Sequence, residues 1–424
     1  MLKKFIPKSS YARNVITLMT GTGLAQAIPI AISPILTRLY SPEDFGIFGL
    51  YMAIVAIASV LVTGRYELAI LLPRNDRDAL HIVALAIGLS AAVSALLLVV
   101  VLVFNGPITQ LLGTSDIIAP WLYWVPASTV LMGIYTSLNY WSNRKGHYRR
   151  LALSRIVQNG SGSLTQLGAA YAHSGPAGLV GGQITGQILA STVLARLIYR
   201  EDQQQIKTLR WGRLRALARK YRNFPRFLIV AHGFNTASGQ VPMLLLSTLF
   251  NTATAGYYML IQRVMAAPMV LVAGALGDVF RQEASRAYIH TGNCRAIYMS
   301  TFKRLLGQAV LPFAVFFFVA PALFGWVFGE PWRVAGEYAR IFTPMFFLQF
   351  ITSPLSSVYM IAEKQKMDLA WQICLLVLVL SAFAIGGIFS NIEIALALFS
   401  TAYCLMYAIN GMISYQLANG RWAN

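Results

Sequence analysis

Charged residues are scarce in this chain: they make up 12% of its 424 residues. An ordinary soluble domain carries about twice that share, so the chain has too little polar surface to coat a water-soluble particle of its size. Hydrophobic residues make up 57%, which excludes disorder because disordered chains are poor in apolar residues. Since the apolar residues fall in long runs, the sequence predicts a membrane protein with many spans.

Residues that carry catalysis or bind metals are also few and scattered. The three cysteines, Cys294, Cys374 and Cys404, form neither a disulfide framework nor a zinc-ligand spacing. The five histidines do not cluster in the sequence. The chain also lacks a Walker A loop, an H-E-x-x-H motif and a G-x-S-x-G motif. We therefore expect no metal site and no cofactor other than a coupling H+ or Na+. We also expect no ATP-driven transport within this chain.

The apolar runs predict an all-α integral membrane protein with about twelve transmembrane helices. Each run is long enough to cross a hydrocarbon core of ~30 Å as a helix, which needs ~20 residues. The predicted spans are residues 14–37, 45–68, 80–104, 117–140, 152–173, 176–199, 225–250, 254–278, 304–328, 338–361, 369–390 and 393–416.

Lysine and arginine give the chain a formal net charge of +19 and predict its orientation. With the N-terminus inside, nearly all basic residues fall in cytoplasmic loops, and the other side keeps only Arg38, Arg333 and Arg340. Both termini are therefore predicted to be cytoplasmic. The net charge of +19 is explained by the excess of basic residues on the cytoplasmic side, where they also attract anionic membrane lipids. Because the charge is explained in this way, we expect no nucleic-acid partner.

A weak internal repeat predicts two six-helix lobes. The segment Leu36–Tyr40 and Gly23 have counterparts in Leu246–Phe250 and Gly233, at an offset near 210 residues; chance similarity between apolar segments is the alternative. The predicted lobes are residues 1–199 and 225–424, joined by a basic cytoplasmic linker at 200–224. This linker would form either an amphipathic helix on the membrane surface or a solvated connection.

Charged and amide side chains inside apolar spans are the candidate functional residues, because a charge at the helix centre costs at least ~2.5 kcal/mol on insertion scales. Arg263 lies in the eighth predicted span, and Arg38 and Arg340 lie near the outer ends of the first and tenth. These arginines would contact an anionic substrate, with structural pairing or snorkelling to the interface as the alternatives. Three amides are added as candidates for lining a cavity: Gln26, Asn235 and Gln240.

Two carboxylates are candidates for ion coupling. Glu67, with Arg65 two residues before it, lies near the inner end of the second predicted span, and Asp278 lies near the inner end of the eighth. Glu67 and Asp278 occupy almost equivalent positions of the repeat. A buried carboxylate there could carry a proton or bind a cation; an interfacial salt bridge is the alternative.

Three segments resemble the Wzx-type polysaccharide and O-antigen flippases of bacteria. The segment Arg38–Phe48 (RLYSPEDFGIF) looks like the signature between the first two spans of that family. Gly64–Ile70 (GRYELAI) and Phe224–Ile229 (FPRFLI) continue the pattern, and Pro242 follows in the seventh span. The resemblance extends over nearly the whole chain.

The resemblance implies a MATE-like fold of the multidrug/oligosaccharidyl-lipid/polysaccharide exporter superfamily. A member would carry an undecaprenyl-diphosphate-linked oligosaccharide, an O-antigen or exopolysaccharide repeat unit, across the bacterial inner membrane by alternating access through a cationic cavity. The family's partners would include a polysaccharide polymerase and a chain-length regulator. A cation-coupled multidrug exporter of the same fold and a membrane polysaccharide polymerase remain the alternatives; an acidic cavity would favour drug export, and short outer loops argue against the polymerase.

Overall fold

The computed structural model describes residues 10–111, 115–206 and 209–420. Within these residues the chain is helical and contains no strand. Residues 1–9 and 421–424 lie outside the described ranges, so the cytoplasmic position of both termini stays a prediction. The described chain divides into two compact units, Met1–Thr248 and Leu249–Asn424.

The first unit contains ten helices among its described residues, and the seventh-span segment begins with one π-helical stretch, Phe224–Leu228. The helices are α1 (Ser10–Leu39), α2 (Pro42–Val62), α3 (Tyr66–Ala69), α4 (Asp76–Leu111), α5 (Ser115–Leu122), α6 (Val125–Arg144), α7 (Tyr148–Tyr171), α8 (Pro176–Ile206), α9 (Trp211–Lys220) and α10 (Ile229–Leu249).

The second unit contains seven helices in its described part, with irregular stretches between some of them. The helices are α11 (Thr252–Pro268), α12 (Gly274–Thr291), α13 (Arg295–Phe328), α14 (Arg333–Thr352), α15 (Val358–Ile361), α16 (Gln365–Ile388) and α17 (Ile392–Ala418). A π-helical stretch, Met269–Ala273, joins α11 to α12, and 3-10 stretches lie at Glu330–Trp332 and Ser353–Ser357.

Each of the twelve predicted spans lies mostly on helix, with turns at 63–65 and 123–124 inside two of them. The described residues contain no strand, which confirms the predicted all-α fold class. The span at 117–140 covers α5 and α6, that at 254–278 covers α11 and α12 with the π-helical stretch between them, and that at 338–361 covers α14 and α15. Eight helical segments of the described chain are long enough and apolar enough to cross a membrane. The lobe boundaries at 199 and 225 stay a prediction.

Close contact of glycines holds α7 against α8 in the first unit. A Cβ atom added at Gly186 would lie 2.4 Å from the carbonyl oxygen of Gln158, and one at Gly182 would lie 2.7 Å from that of Gly162. Small residues let membrane helices approach until their backbones touch, where dispersion contacts replace the missing hydrophobic drive. The two helices are therefore packed backbone to backbone.

The basic linker packs onto the first unit through α9. Leu217 is 3% exposed and belongs to an apolar cluster that includes Tyr66. The Tyr66 hydroxyl donates to the carbonyl oxygen of Ala218 at 3.0 Å, and Arg213 pairs with Asp78 at 2.7 Å. The sequence left a surface helix and a solvated connection open, and it did not predict this docking.

An aromatic cluster joins α11, α14 and α17 in the second unit. The ring of Tyr258 meets that of Phe342 at 5.9 Å between centroids, and Phe342 meets Phe399 at 5.6 Å. The chain of rings continues to Tyr403 at 4.8 Å and to Tyr407 at a further 5.8 Å. Edge-to-face and tilted pairs of this kind add to the free energy gained by burying the rings.

Candidate functional site

Arg263 lies in α11, five residues after Tyr258 of the aromatic cluster, and it is half-buried. The preceding residue, Gln262, donates from Nε2 to the hydroxyl of Tyr258 at 2.6 Å. Tyr258 is buried, so this bond fixes the turn of the helix that carries the arginine. Arg263 therefore follows directly after a residue that is hydrogen-bonded to the aromatic cluster.

The other candidate contacts are divided between the two units. Arg38, Gln26 and Asn235 belong to the first unit and are exposed, and Gln240 in the same unit is half-buried. Arg340 is exposed in the second unit, on α14. An exposed side chain on a membrane helix faces either lipid or an aqueous space, so snorkelling stays open for Arg38 and Arg340.

Arg65 and Glu67 form an ion pair where α2 turns into α3. Gly64 and Arg65 both have a φ of 59°, in the left-handed region. This turn brings Nη1 of Arg65 to 3.3 Å from Oε1 of Glu67, which is only 2% exposed. Oε2 of Glu67 and Nε of Arg65 have no hydrogen-bonding partner among the described residues. A left-handed turn at a non-glycine residue and a half-satisfied buried carboxylate are costly features that concentrate at functional sites.

Asp278 differs from Glu67, although the repeat gives them almost equivalent positions. Asp278 is exposed on α12 and lies 3.8 Å from Arg281 at the next turn of the same helix. Glu67 is buried because α3 packs against α4 and α6, whereas Asp278 lies on the surface of a continuous helix. Of the two coupling candidates, Glu67 alone is a buried acid.

A further arginine inside a span lies in α7. Arg155 is half-buried and donates a hydrogen bond to the hydroxyl of Thr22 on α1. One turn on, Asn159 donates to the carbonyl oxygen of Ala25 at 2.6 Å. Gln158 donates to Gln187 of α8 at 3.1 Å, so a polar seam (Arg155, Gln158 and Asn159 with these partners) joins three helices.

The sequence contained a signal for Arg155. It falls inside the predicted span 152–173, yet its closeness to Arg149 and Arg150 places it with the cytoplasmic basic residues. A charge four residues into a span should be treated as intramembrane, because it must find a partner or a cavity there. Across the described ranges, no group of three His, Cys, Asp or Glu side chains is arranged to hold a metal ion.

The family model for polysaccharide biosynthesis proteins matches residues 35–337 of the chain. No curated protein matches it. Among solved structures, the chain is similar to an inward-facing multidrug resistance MATE family transporter of the MOP superfamily, with a TM-score of 0.71, 13% identity and 95% of each chain covered. It is also similar to the lipid II flippase MurJ in an inward closed conformation, with a TM-score of 0.75, 12% identity, and 95% of this chain and 87% of MurJ covered.

A third similar structure is a MOP superfamily transporter from Pyrococcus furiosus. The reverse polarity of that transporter's binding pocket suggests a different function for it. Its TM-score is 0.61 at 11% identity, with 96% of each chain covered. Identities this low establish a shared fold alone, and that fold hosts both drug transporters and a lipid flippase. Because the family model matches most of its length, the chain belongs to the polysaccharide biosynthesis protein family and has the MATE-like fold of MOP-superfamily transporters.

Proposed function

We propose that the chain is a flippase that carries an undecaprenyl-diphosphate-linked oligosaccharide across the bacterial inner membrane by alternating access. The observation that carries the proposal is the family match over residues 35–337, which includes the Arg38–Phe48 segment. A polysaccharide family implies a sugar-bearing cargo, and the fold shared with a lipid II flippase supports a lipid-linked one. The cargo would be an O-antigen or exopolysaccharide repeat unit.

Arginines are the proposed contacts of the diphosphate. A guanidinium group presents several donors in a fixed fork and matches phosphate oxygens better than a lysine does. Arg263, Arg38 and Arg340 take this role in the proposal, and the half-buried Arg155 is added to them. Three amide side chains, Gln26, Asn235 and Gln240, would bind the sugar hydroxyls.

Glu67 is the proposed coupling residue. Its carboxylate is buried, and one of its oxygens has no hydrogen-bonding partner among the described residues. Protonation or cation binding there would neutralise the charge and release Arg65 from its ion pair. Because Arg65 lies in a strained left-handed turn, its release would allow the backbone at the end of α2 to change conformation. Asp278 is exposed and paired with Arg281, and it is the weaker candidate.

Complementation in a strain that lacks its polysaccharide flippase tests the proposed function. The chain should restore lipid-linked repeat units to the outer leaflet, where an impermeant enzyme or lectin can detect them. If the deletion strain of this chain still exposes repeat units but cannot polymerise them, the chain is a polymerase. If the deletion changes drug sensitivity and leaves surface polysaccharide unchanged, the chain is a drug exporter.

A further inference from the structure

A polar cavity of about 430 Å³ lies in the second unit, on the side that the lysine and arginine distribution predicts to be cytoplasmic. Pockets for small organic ligands have volumes of ~300–1,000 Å³, far more than a bare cation fills. We call this cavity the serine pocket; its polar lining includes Asp278, Arg281, Ser356, Ser357, Tyr359 and Asp368.

Two irregular helical stretches form walls of the serine pocket. Met269 and Ala273 are the two ends of the π-helical stretch, and Ser353 and Ser357 are the two ends of a 3-10 stretch. The 3-10 stretch is packed tightly against α12, which follows the π-helical stretch, since a Cβ added at Gly277 would lie 3.1 Å from Cβ of Pro354. Non-α backbone at membrane depth is tolerated where it is buried in protein or lines a cavity, and π-helical turns are frequent at functional sites.

Tyr359 provides an independent sign of a ligand. Its side chain is 2% exposed and lines the serine pocket, and its hydroxyl has no hydrogen-bonding partner among the described residues. Burying a hydroxyl without a partner costs free energy. Tyr51 in the first unit shows the usual arrangement: it is fully buried, and its hydroxyl lies 2.5 Å from Oγ of Ser128. The Tyr359 hydroxyl is therefore an unsatisfied hydrogen-bonding group in the wall of the pocket.

The charges of the lining select the class of ligand. Arg281 can only donate hydrogen bonds, whereas the carboxylates of Asp278 and Asp368 can only accept them; serine and tyrosine hydroxyls do both. Arg281 lies 3.8 Å from Asp278, and Asp368 accepts from Nε2 of Gln372 at 3.0 Å. The carboxylates repel an anion, while Arg281 offsets the charge of Asp278 and Gln372 already donates to Asp368. The remaining serine and tyrosine hydroxyls favour a neutral ligand rich in hydroxyl groups.

We propose that the serine pocket binds a neutral sugar ring and contacts it through the Tyr359 hydroxyl. This inference rests on the proposed function, because it assigns part of the cargo to a site in the second unit. The pocket lies on the side where a lipid-linked oligosaccharide made in the cytoplasm would be loaded. Sugar binding there would hold the head of the cargo before it crosses the membrane.

The test measures the melting temperature of the purified full-length protein with rising concentrations of free D-glucose, D-galactose and N-acetyl-D-glucosamine. L-glucose serves as the control, because all sugars stabilise proteins weakly by exclusion from the surface. At least one D-sugar should stabilise the protein with a saturable dependence on concentration, and L-glucose should not. Equal effects of all the D-sugars and L-glucose would overturn the proposal.

Two tyrosine variants separate binding from folding. Tyr359→Phe should melt at a higher temperature than the wild type without sugar, because it removes an unpaired buried hydroxyl, yet bind the sugar about fivefold more weakly. Tyr51→Phe should melt at a lower temperature, because it breaks a paired hydroxyl, and keep the wild-type dissociation constant. An unchanged dissociation constant in Tyr359→Phe would remove the serine pocket from sugar binding.

Complementation of the flippase-deficient strain keeps the two proposals apart. A chain that restores export but shows no selective sugar binding retains the proposed function and loses the sugar site. A chain that binds sugar through Tyr359 but restores no export retains the site and loses the flippase function.

Discussion

Arg263 is the residue for which the proposed transport makes the sharpest prediction. Arg263→Ala should lower export by about tenfold or more at normal protein levels, since a charge-assisted hydrogen bond contributes ~1.5–3 kcal/mol. Arg263→Lys should recover only part of the export, because lysine keeps the positive charge but lacks the planar set of guanidinium donors. Surface polysaccharide would be measured together with the amount of protein in the membrane. Unchanged export in Arg263→Ala would remove this residue from the mechanism.

Glu67 should carry the coupling ion of transport. Glu67→Gln keeps the shape of the side chain and fixes it in a neutral state, so transport by this variant should lose its response to a proton gradient. Glu330→Gln is the matched control, because the Glu330 and Arg333 side chains are each more than half exposed and an exposed pair contributes at most ~1 kcal/mol. Asp278→Asn tests the second coupling candidate. Transport into vesicles would be measured at several external pH values. If Glu67→Gln keeps the wild-type pH response, Glu67 is not the proton carrier. If the pH response is lost only in Asp278→Asn, the coupling residue lies in the second unit.

At the scale of residues, the sequence predicted which side chains are unusual but not their surroundings. Glu67 and Asp278 have the same charge and almost the same repeat position, yet one is buried and the other exposed. The difference comes from the turn at Gly64 and Arg65, which a hydropathy pattern does not encode. The partner of Arg155 is Thr22, and the two residues are far apart in the chain. Long-range partners of this kind are set by helix packing.

At the scale of elements, the contact between α7 and α8 depends on glycine. Gly186→Ala would place a Cβ 2.4 Å from a backbone oxygen of α7, so the helices must move apart. We expect a loss of ~1–3 kcal/mol in stability, the usual cost of overpacking. Gly168→Ala in α7 is the control, because an added Cβ there meets nothing within 4 Å, and alanine favours a helix by ~0.5–1 kcal/mol. Thermal unfolding in detergent would compare the two; equal melting temperatures would contradict the proposed packing.

The docking of α9 should depend on its apolar residue rather than on its charges. Leu217→Ala removes a side chain that is 3% exposed, and a buried leucine lost in this way costs ~2–5 kcal/mol. Arg213→Ala breaks a pair whose arginine is 54% exposed, which should cost less than ~1 kcal/mol. Limited proteolysis of the segment before α10 would measure the difference. If Arg213→Ala opened the linker as much as Leu217→Ala did, ion pairing would hold α9.

The limits of prediction at this scale follow from the solvent. In a membrane, the side of a helix that faces lipid is as apolar as the side that faces another helix. The sequence therefore shows where a span begins and ends but not which face packs. The linker is polar, and its single apolar face predicts an amphipathic helix; that this face meets Tyr66 was not visible in the sequence.

At the scale of the whole molecule, the positions of the long helices were predictable because the hydrocarbon thickness fixes the length of an apolar run. All twelve predicted spans lie mostly on helix in the structure, and eight helical segments of the described residues have the length and hydropathy of a membrane span. The breaks within them were less visible: the π-helical stretch at Met269–Ala273 lies inside a run that reads as one continuous span. The functional class came from the resemblance carried by Arg38–Phe48 and from the family match, because a fold shared by drug transporters and a lipid flippase does not choose between them.

Cysteine labelling from the two sides of the membrane would test the predicted orientation. Exposed Cys374 would be replaced by alanine, as would Cys404, whereas Cys294 can stay. Cys294 is 2% exposed and lies between α12 and α13, and burial raises the pKa of its thiol to about 11. At neutral pH this thiol is almost entirely protonated and out of reach, so it should not react with a maleimide.

In that background, Glu330→Cys and Gln203→Cys should react from opposite sides. Both positions are exposed, and the lysine and arginine distribution predicts that 330 is external and 203 is cytoplasmic. An impermeant maleimide should therefore label Glu330→Cys in intact cells and Gln203→Cys only after the membrane is opened. The reverse labelling pattern would show that the orientation of the chain in the membrane is opposite to the predicted one. The serine pocket would then lie on the external side, where a cargo is released, and its sugar site would act in the last step of transport instead of the first.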